Sequence, residues 1–557
     1  MSVDAPRPSW IWLAVLGAAL FVFVFFYRFN TLGGALGGFD DDHFVPLAYA
    51  KQVQAGDQPL RDFTGLGLQG AWPSLTFELS AAAQSLLGNT LRSEALLAVT
   101  GLGVASVLTF LAGTYVAAPP VAFATAIGAA LLATRLYNFP KVLVLGAAVL
   151  MLARYARSPT RRSVVVLGVL TVVAFLFRHD YAVYVGAGIL AVVALAAGRV
   201  GTAVTHLGVC ALVVGLLLVP SAVFVQRHGG LISYVQDSIV AVEQESRRTE
   251  RIDPGFVSHG EGERRLTVLD FLDEEQNAVQ WLYYAHLLLP MLVLVMSLWP
   301  RSSWSPVVRH ALIVWAVMAL VVAPLFLRGN TGARFGDMAP LTAVLLAGVC
   351  SRVFQRSGGT LLRVSRISFA LLLLAGSVQS VWAVGGATHD LDESGWVHSP
   401  MYILNQASRR WTDLGALPDA YWTGEPDSPS IGAVQYLHAC TRASDRVLVI
   451  SYQPELLPLA DRRFAAGRAS LIPGLLTDDE HQRRLVERWN RESVPLVLVE
   501  PAEEHVYEIP IVHEHLIERY VDSGPMTING DVVLHVYAER GRPASGTFGP
   551  GAWPCFR

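Results

Sequence analysis

Asp40, Asp41 and Asp42 stand side by side in the stretch Gly38–Asp62, GFDDDHFVPLAYAKQVQAGDQPLRD, with His43 directly after them. The stretch continues through an amphipathic run to Gly56 and closes on Pro59, Arg61 and Asp62. Adjacent carboxylates repel one another, and beside a membrane the cost grows unless a cation, a base-catalysed reaction or water takes up the charge. The chemistry open to them is that of a general base or a cation site. The plainer alternative is a solvated acidic loop at the headgroups.

Other polar clusters interrupt the apolar sequence. Asn138 and Lys141 sit in one tight turn, and Arg178, His179, Asp180 and Tyr181 make another. The loop RGNTGARFGD, 328–337, carries Arg328, Arg334 and Asp337. Each alone is what any polar loop must contain. Together, carboxylates in one loop and guanidinium groups in others suit displacement at the anomeric carbon of a lipid-linked sugar phosphate. The planar fork of Arg binds phosphate oxygens bidentately. A carboxylate can deprotonate the acceptor hydroxyl or amine, and a phosphate leaves without needing its own acid. A divalent cation, Mg or Mn, between Asp residues and phosphate fits the same chemistry, with Asp42 and Asp180 as its ligands, although spacing does not establish one.

Elements able to hold these groups follow from composition. The 557 residues are 53% hydrophobic and only 16% charged, with mean hydropathy +0.42; soluble domains average about 25% charged residues. This is the composition of a membrane protein. A net charge of −3 and the lack of any basic stripe argue against nucleic acid as a partner. Residues 10–27 form a first span, read as an uncleaved anchor, since no clean cleavage site follows. Further stretches of spanning length lie near 94–116, 118–136, 139–155, 163–178, 182–198, 203–225, 281–299, 309–327, 338–355 and 367–385. The fold class expected is a polytopic α-helical membrane protein of about eleven spans, residues 1–385, with a soluble extracytoplasmic α/β domain over 386–557.

Orientation follows from the arginines. With the N-terminus inside, the cytoplasmic loops hold Arg154, Arg157, Arg161 and Arg162, then Arg199, then Arg301 and Arg309, then Arg356, Arg363 and Arg366, and no Asp or Glu. Counting 72–88 as a span would invert every later loop and bury Glu78, so it reads as an interfacial or re-entrant helix. The outer loops are then 28–93, 226–280 and 328–337. The second carries RRTER at 247–251 and DEE at 273–275, and reads as a solvated loop with a lid role open to it. The location expected is the inner (plasma) membrane of a bacterial cell envelope, multi-pass, with the acidic loop and the C-terminal domain outside.

In that domain DRVLVIS (445–451), VPLVLVE (494–500) and VVLHVYAER (532–540) read as strands. DDEHQRRLVERWN (478–490) has helical spacing with acids before bases. It holds no Gly-rich phosphate loop, catalytic Ser or Cys motif, or HExxH, and reads as a scaffold or acceptor-docking domain. Of the four cysteines, Cys210 and Cys350 lie in apolar runs, whereas Cys440 and Cys555 share the polar region, where an oxidising compartment would allow a disulfide.

The residues carry a family resemblance. FDDDHF, the spacing Ala50 to Gly56, the tail Pro59 to Asp62 and LRSEALL at 91–97 resemble the GT-C superfamily of integral-membrane glycosyltransferases, of the protein-mannosyltransferase and aminoarabinose-transferase type. FRHDY at 177–181 and ELLPLADRR at 455–463 resemble relatives in that superfamily. The resemblance covers the first seven spans best. It implies a polyprenyl-phosphate-linked sugar donor, transfer outside the membrane to a glycan, lipid or protein acceptor, and inversion at the anomeric carbon. It implies that one acidic residue of the first loop is the base: Asp41 or Asp42, with Asp40 third. The family often shows Asp-Glu followed shortly by Tyr; here Asp-Asp-Asp-His-Phe precedes a late Tyr49, which leaves the register open by one residue. Asp180 is the candidate second acidic site. The substrate-contacting set expected is His43, Tyr49, Lys141, Arg178, Asp180, Arg328 and Arg334. Two other classes fit less well. A transporter or flippase of a lipid-linked or anionic substrate would carry charges in mid-span or an internal repeat, and a scaffold would have no use for the acidic run.

Overall fold

The computed structural model describes residues 9–34, 36–63, 75–132, 134–236, 238–239, 275–299, 304–324, 334–353, 378, 382, 386–423, 429–471, 478–501, 508–528 and 531–557. In chain order its first helices are α1 (Trp10–Asn30), α2 (Asp41–Gln54), α3 (Leu75–Leu87), α4 (Leu91–Gly113), α5 (Pro119–Leu131), α6 (Phe139–Arg157), α7 (Arg161–Phe177), α8 (His179–Ala196) and α9 (Val200–Arg227). Apolar helices Glu275–Leu298, Pro306–Val322 and Ala339–Val353 follow, then an α/β region.

Six helices among the described residues are long and apolar enough to cross a membrane, and Pro119–Leu131 and Pro306–Val322 are shorter apolar helices. Ten of the eleven expected spans are helical; the expected span at 367–385 lies almost wholly outside the described residues, as do residues 240–274 of the long loop. The exposed faces of these helices are greasy. Val204, Leu212, Leu216, Leu217 and Val219 all stand out of α9, a display that water would penalise and a bilayer accepts.

By contacts the chain gathers into two compact units, Met1–Thr31 with Ala98–Val219 and Glu250–Ala407, and Leu32–Leu97 with Pro220–Thr249 and Ser408–Arg557. A single boundary at 385/386 is what the sequence suggests; the contacts instead place the first loop, 32–97, with the C-terminal residues.

The first unit is a helical bundle in which α6 packs on α7, α8 and Pro306–Val322. Its helices begin where capping chemistry lets them. Ser305 accepts from Val308 N at 3.4 Å ahead of Pro306, and Thr160 accepts from Ser163 N at 3.2 Å at the head of α7. Small residues let the backbones approach. A Cβ at Gly146 of α6 would stand 2.8 Å from the carbonyl oxygen of Ala105 in α4, so that contact requires glycine. Trp315, fully buried, donates its indole N–H to Val149 O at 3.0 Å, satisfying its polar atom inside the bundle.

The second unit is built on a five-stranded sheet of order β2-β1-β3-β5-β4. Its strands are β1 (Arg446–Ile450), β2 (Arg463–Phe464), β3 (Leu496–Val499), β4 (Tyr520–Ile528) and β5 (Asp531–Glu539). β1 pairs in parallel with β2 (Arg446 opposite Arg463) and with β3 (Val447 opposite Leu496), and β5 runs antiparallel between β3 and β4. β1 and β3 are buried almost throughout, as parallel strands covered on both faces must be. Helices Asp479–Trp489 and Pro510–Arg519 lay Leu485, Trp489, Val512 and Leu516 into the core, where Trp489 donates to the Tyr520 hydroxyl at 2.8 Å. Truncating a buried Trp of this kind to Ala costs about 3–5 kcal/mol. Cys440 and Cys555 are joined by a disulfide, their Cα atoms 4.2 Å apart.

Candidate active site

Two glycines shape the approach to the acidic run. Gly37 and Gly38 take φ of +67° and +79°, and a Cβ on Gly38 would fall 2.8 Å from Gly33 N, a conformation and a fit open only to glycine. This turn delivers Asp40 to the N-cap of α2 and puts Asp41 and Asp42 in its first turn. The helix's unpaired amides favour negative charge there, which is why three carboxylates can be tolerated. Asp40 and Asp41 are exposed and Asp42 is half-buried.

The rest of the sheet-bearing unit closes around this turn. The Tyr452 hydroxyl donates to Asp42 Oδ1. Tyr452 stands two residues past the end of β1, at the carboxyl end of a parallel strand, the end where α/β sheets place their ligand-binding groups. Three residues on, Glu455 is buried (4% exposed) and accepts from Ser430 Oγ at 3.2 Å through Oε1, while its Oε2 is buried without a hydrogen-bond partner. Burial pushes its carboxyl up to about 7, and the negative charge of Asp41 pushes in the same direction.

His43 turns inward. Its Nε2 lies 3.5 Å from Glu94 Oε2, and its ring packs on Phe39 at 4.6 Å. Glu94 Oε1 also accepts from Gln84 Nε2 at 2.9 Å and from the Ser80 hydroxyl. The pair ties the first turn of α2 to α3 and the head of α4. Tyr49, 3% exposed, stacks on Phe63 (5.3 Å), with Phe77 tilted against it (5.1 Å) and Phe464 edge-on (5.3 Å). The far end of α2 is pinned by Arg446, which donates to Asp57 Oδ2 at 2.6 Å and to Gln52 Oε1 at 3.0 Å.

In the bundle, Lys141 Nζ pairs with Asp337 Oδ2 at 2.6 Å, both side chains about 95% buried (5% and 4% exposed). Thr134 Oγ1 donates to the other oxygen of Asp337 at 2.8 Å. Arg178 grips Asp180 bidentately, at 3.0 and 2.9 Å. The Tyr181 ring lies 5.8 Å from Lys141 Nζ and 5.5 Å from the Arg178 guanidinium. The helix break makes this grouping: Arg178, extended at φ −165°, ends α7 and starts α8. Arg334 is half-buried in the same unit, and Arg328 lies outside the described residues. Both oxygens of Asp180 are thus taken by Arg178, and no group of three His, Cys, Asp or Glu among the described residues is arranged to hold a metal ion.

Tyr452, Glu455, Glu94 and Arg446 are site residues outside the expected set, although LRSEALL holds Glu94, ELLPLADRR begins at Glu455 and DRVLVIS holds Arg446. Tyr452 has only the polar SYQPE segment at the end of the apolar strand DRVLVIS as its signal.

No protein-family model matches the sequence, and no curated protein matches it. Three solved structures of Archaeoglobus fulgidus proteins do match in fold. The first is an oligosaccharyltransferase tethered with an acceptor peptide containing the NVT sequon (TM-score 0.48, 12% identity, 95% of this chain and 74% of that one). The second is the oligosaccharyltransferase AglB in complex with an inhibitory peptide and a dolichol-phosphate (0.46, 11%, 96% and 75%). The third is the oligosaccharyltransferase in the apo form (0.48, 13%, 96% and 75%). At this identity the likeness is one of overall fold, and the chemistry rests on the residues themselves.

Proposed function

We propose that the protein is a membrane glycosyltransferase that moves a sugar from a polyprenyl-phosphate-linked donor to an acceptor on the extracytoplasmic face. The observation that carries this reading is the turn itself: Asp41 exposed in the first turn of α2, beside Asp42 held by Tyr452, with a buried Glu455 behind. Asp41 is the base, and Asp42 and Asp40 shape the charge around it. The acceptor oxygen or nitrogen gives its proton to Asp41 as it bonds to the anomeric carbon. The bond from that carbon to the phosphate oxygen breaks on the opposite face, and the phosphate keeps the electron pair. The configuration inverts. Lys141, Arg178, Arg334 and Arg328 are the proposed phosphate-binding cations, with Asp180 setting the pose of Arg178. His43 and Tyr49 support α2 from within. Residues 1–385 form the membrane-spanning part in this reading, N-terminus cytoplasmic, with 386–557 outside.

The test is transfer by the purified protein in detergent from a panel of radiolabelled polyprenyl-phosphate sugars. Release of polyprenyl phosphate by the wild type, lost in Asp41→Asn, supports the reading. A folded protein that binds lipid and turns over no donor overturns it in favour of transport or scaffolding.

A further inference from the structure

Glu455 is a carboxyl group with no ordinary reason to be where it is. Carboxylates are almost never fully buried without a cation or several donors. Here the side chain is 4% exposed, its hydrogen bonds are those from Ser430 and from its own backbone, and its buried Oε2 has no partner. The helix Leu456–Leu459 that starts beside it packs on α2, on the helix Pro429–Cys440 and on β2. The charged groups on those elements are mostly committed elsewhere. Lys51 of α2 pairs with Asp461 at 3.5 Å, His43 with Glu94, and Asp42 with Tyr452. His438 faces Ala460 O at 3.1 Å, and Arg463 of β2 donates to Ser444 O at 3.0 Å. The charge that does reach Glu455 is that of Asp41, which repels its anion. An ionised Glu455 would thus be desolvated, half-bonded and opposed by a like charge. A protonated one needs only a single acceptor for its O–H.

We propose that Glu455 is a positioning residue that holds a proton behind the acidic turn, so that Asp41 works as a base with one negative charge beside it removed. This rests on the reading of Asp41 as the base. No atom of Glu455 joins the transfer: the acceptor's proton goes to Asp41, and the proton on Glu455 stays in place. Its loss at higher pH adds a further negative charge beside Asp41, which raises the proton affinity of Asp41 and changes the rate. The carboxyl's shift towards neutral pH, caused first by burial and then by Asp41, places that change in the range where the enzyme is assayed.

Two readouts on the full-length protein test this. In infrared difference spectra taken across the pH range, a protonated-carboxyl C=O band should disappear near neutrality in the wild type and be absent from Glu455→Gln. In the pH profile of kcat/KM, a bend near neutrality should vanish in Glu455→Gln, which cannot ionise. It should move upward in Ser430→Ala, which removes a side-chain hydrogen bond favouring the anion. A bend unchanged in Glu455→Gln, or a titrating band that survives the substitution, overturns the proposal. If the wild type turns over no donor, the reading of Asp41 falls, and the infrared titration still decides whether Glu455 holds a proton. If Glu455→Gln fails to fold, Ser430→Ala decides alone: an unmoved band overturns the proposal, and an upward shift supports it.

Discussion

The hydroxyl of Tyr452 donates to Asp42 Oδ1 across 410 residues of sequence. A carboxylate at a helix N-terminus already enjoys the backbone's field; the tyrosine adds a donor that fixes where it points. In the reaction proposed here, Tyr452→Phe removes that donor and leaves the ring. A hydrogen bond to a charged group contributes about 1.5–3 kcal/mol, so transfer should fall by about ten- to a hundredfold, chiefly in kcat. Asp41→Asn removes the base and should cost at least about a hundredfold. The rates of polyprenyl-phosphate release decide it, and a Tyr452→Phe enzyme with wild-type kcat would show that Asp42 needs no such support.

The helical architecture was legible because apolar runs of spanning length are a coarse, redundant signal, and ten of eleven expected spans are helices here. β1, β3 and β5 were legible for the same reason, as β-rich runs between polar residues. β4 was not. Its sequence, YVDSGPMTI, carries Gly524 and Pro525, which read as a turn and are accommodated by the register shift between Asp522 and Pro525. The acidic turn stood out because like charges in a row are costly. Its partner Tyr452 did not, since its meaning comes from a fold that returns it to α2 over 400 residues later. His43 and Tyr49 show the converse: polar-capable side chains near a candidate site that the helix turns into its core.

Lys141 and Asp337 make a buried pair whose value lies in its completeness. Removing one partner strands the other's charge, at about 3–5 kcal/mol, whereas neutralising both is far milder. Lys141→Met should therefore lower the melting temperature in detergent markedly, and adding Asp337→Asn, which keeps Thr134's hydrogen bond, should restore most of the loss. Purely additive effects in this cycle would mean the two charges are not coupled.

The Cys440–Cys555 bond closes a loop of sequence separation 115. By loop entropy a closure of that length stabilises the fold by about 4–5 kcal/mol. Cys440→Ser with Cys555→Ser, or a reductant acting on the wild type, should destabilise the C-terminal region by an amount of that order. Thiol mapping under non-reducing conditions provides the check: four reactive thiols in the denatured wild type, instead of two, would remove the bond from the account.

Arg446 holds the far end of α2 through Asp57 and Gln52 and lies 3.7 Å from Glu492. Its fork makes several directed contacts at once, so Lys cannot replace it. Arg446→Lys should loosen residues 55–63 while leaving the sheet intact. Limited proteolysis should cut that segment several times faster than in the wild type, with the sheet's circular dichroism unchanged; equal cleavage rates would argue that the aromatic packing of Tyr49 holds α2 unaided.

Glu455 also sets a pH dependence of stability. Its carboxyl rises from an unfolded value near 4.5 to about 7 in the fold, so the folded state binds the proton more tightly than the unfolded chain. The stabilisation is complete below about pH 4.5 and is lost as pH climbs through about 7, with a ceiling on the order of 3 kcal/mol. Between pH 5 and 8 the wild type should therefore lose stability through this group, and Glu455→Gln, uncharged throughout, should lose less over the same interval. Melting curves of the two proteins at matched pH give the comparison directly. Parallel declines would place the titrating group elsewhere.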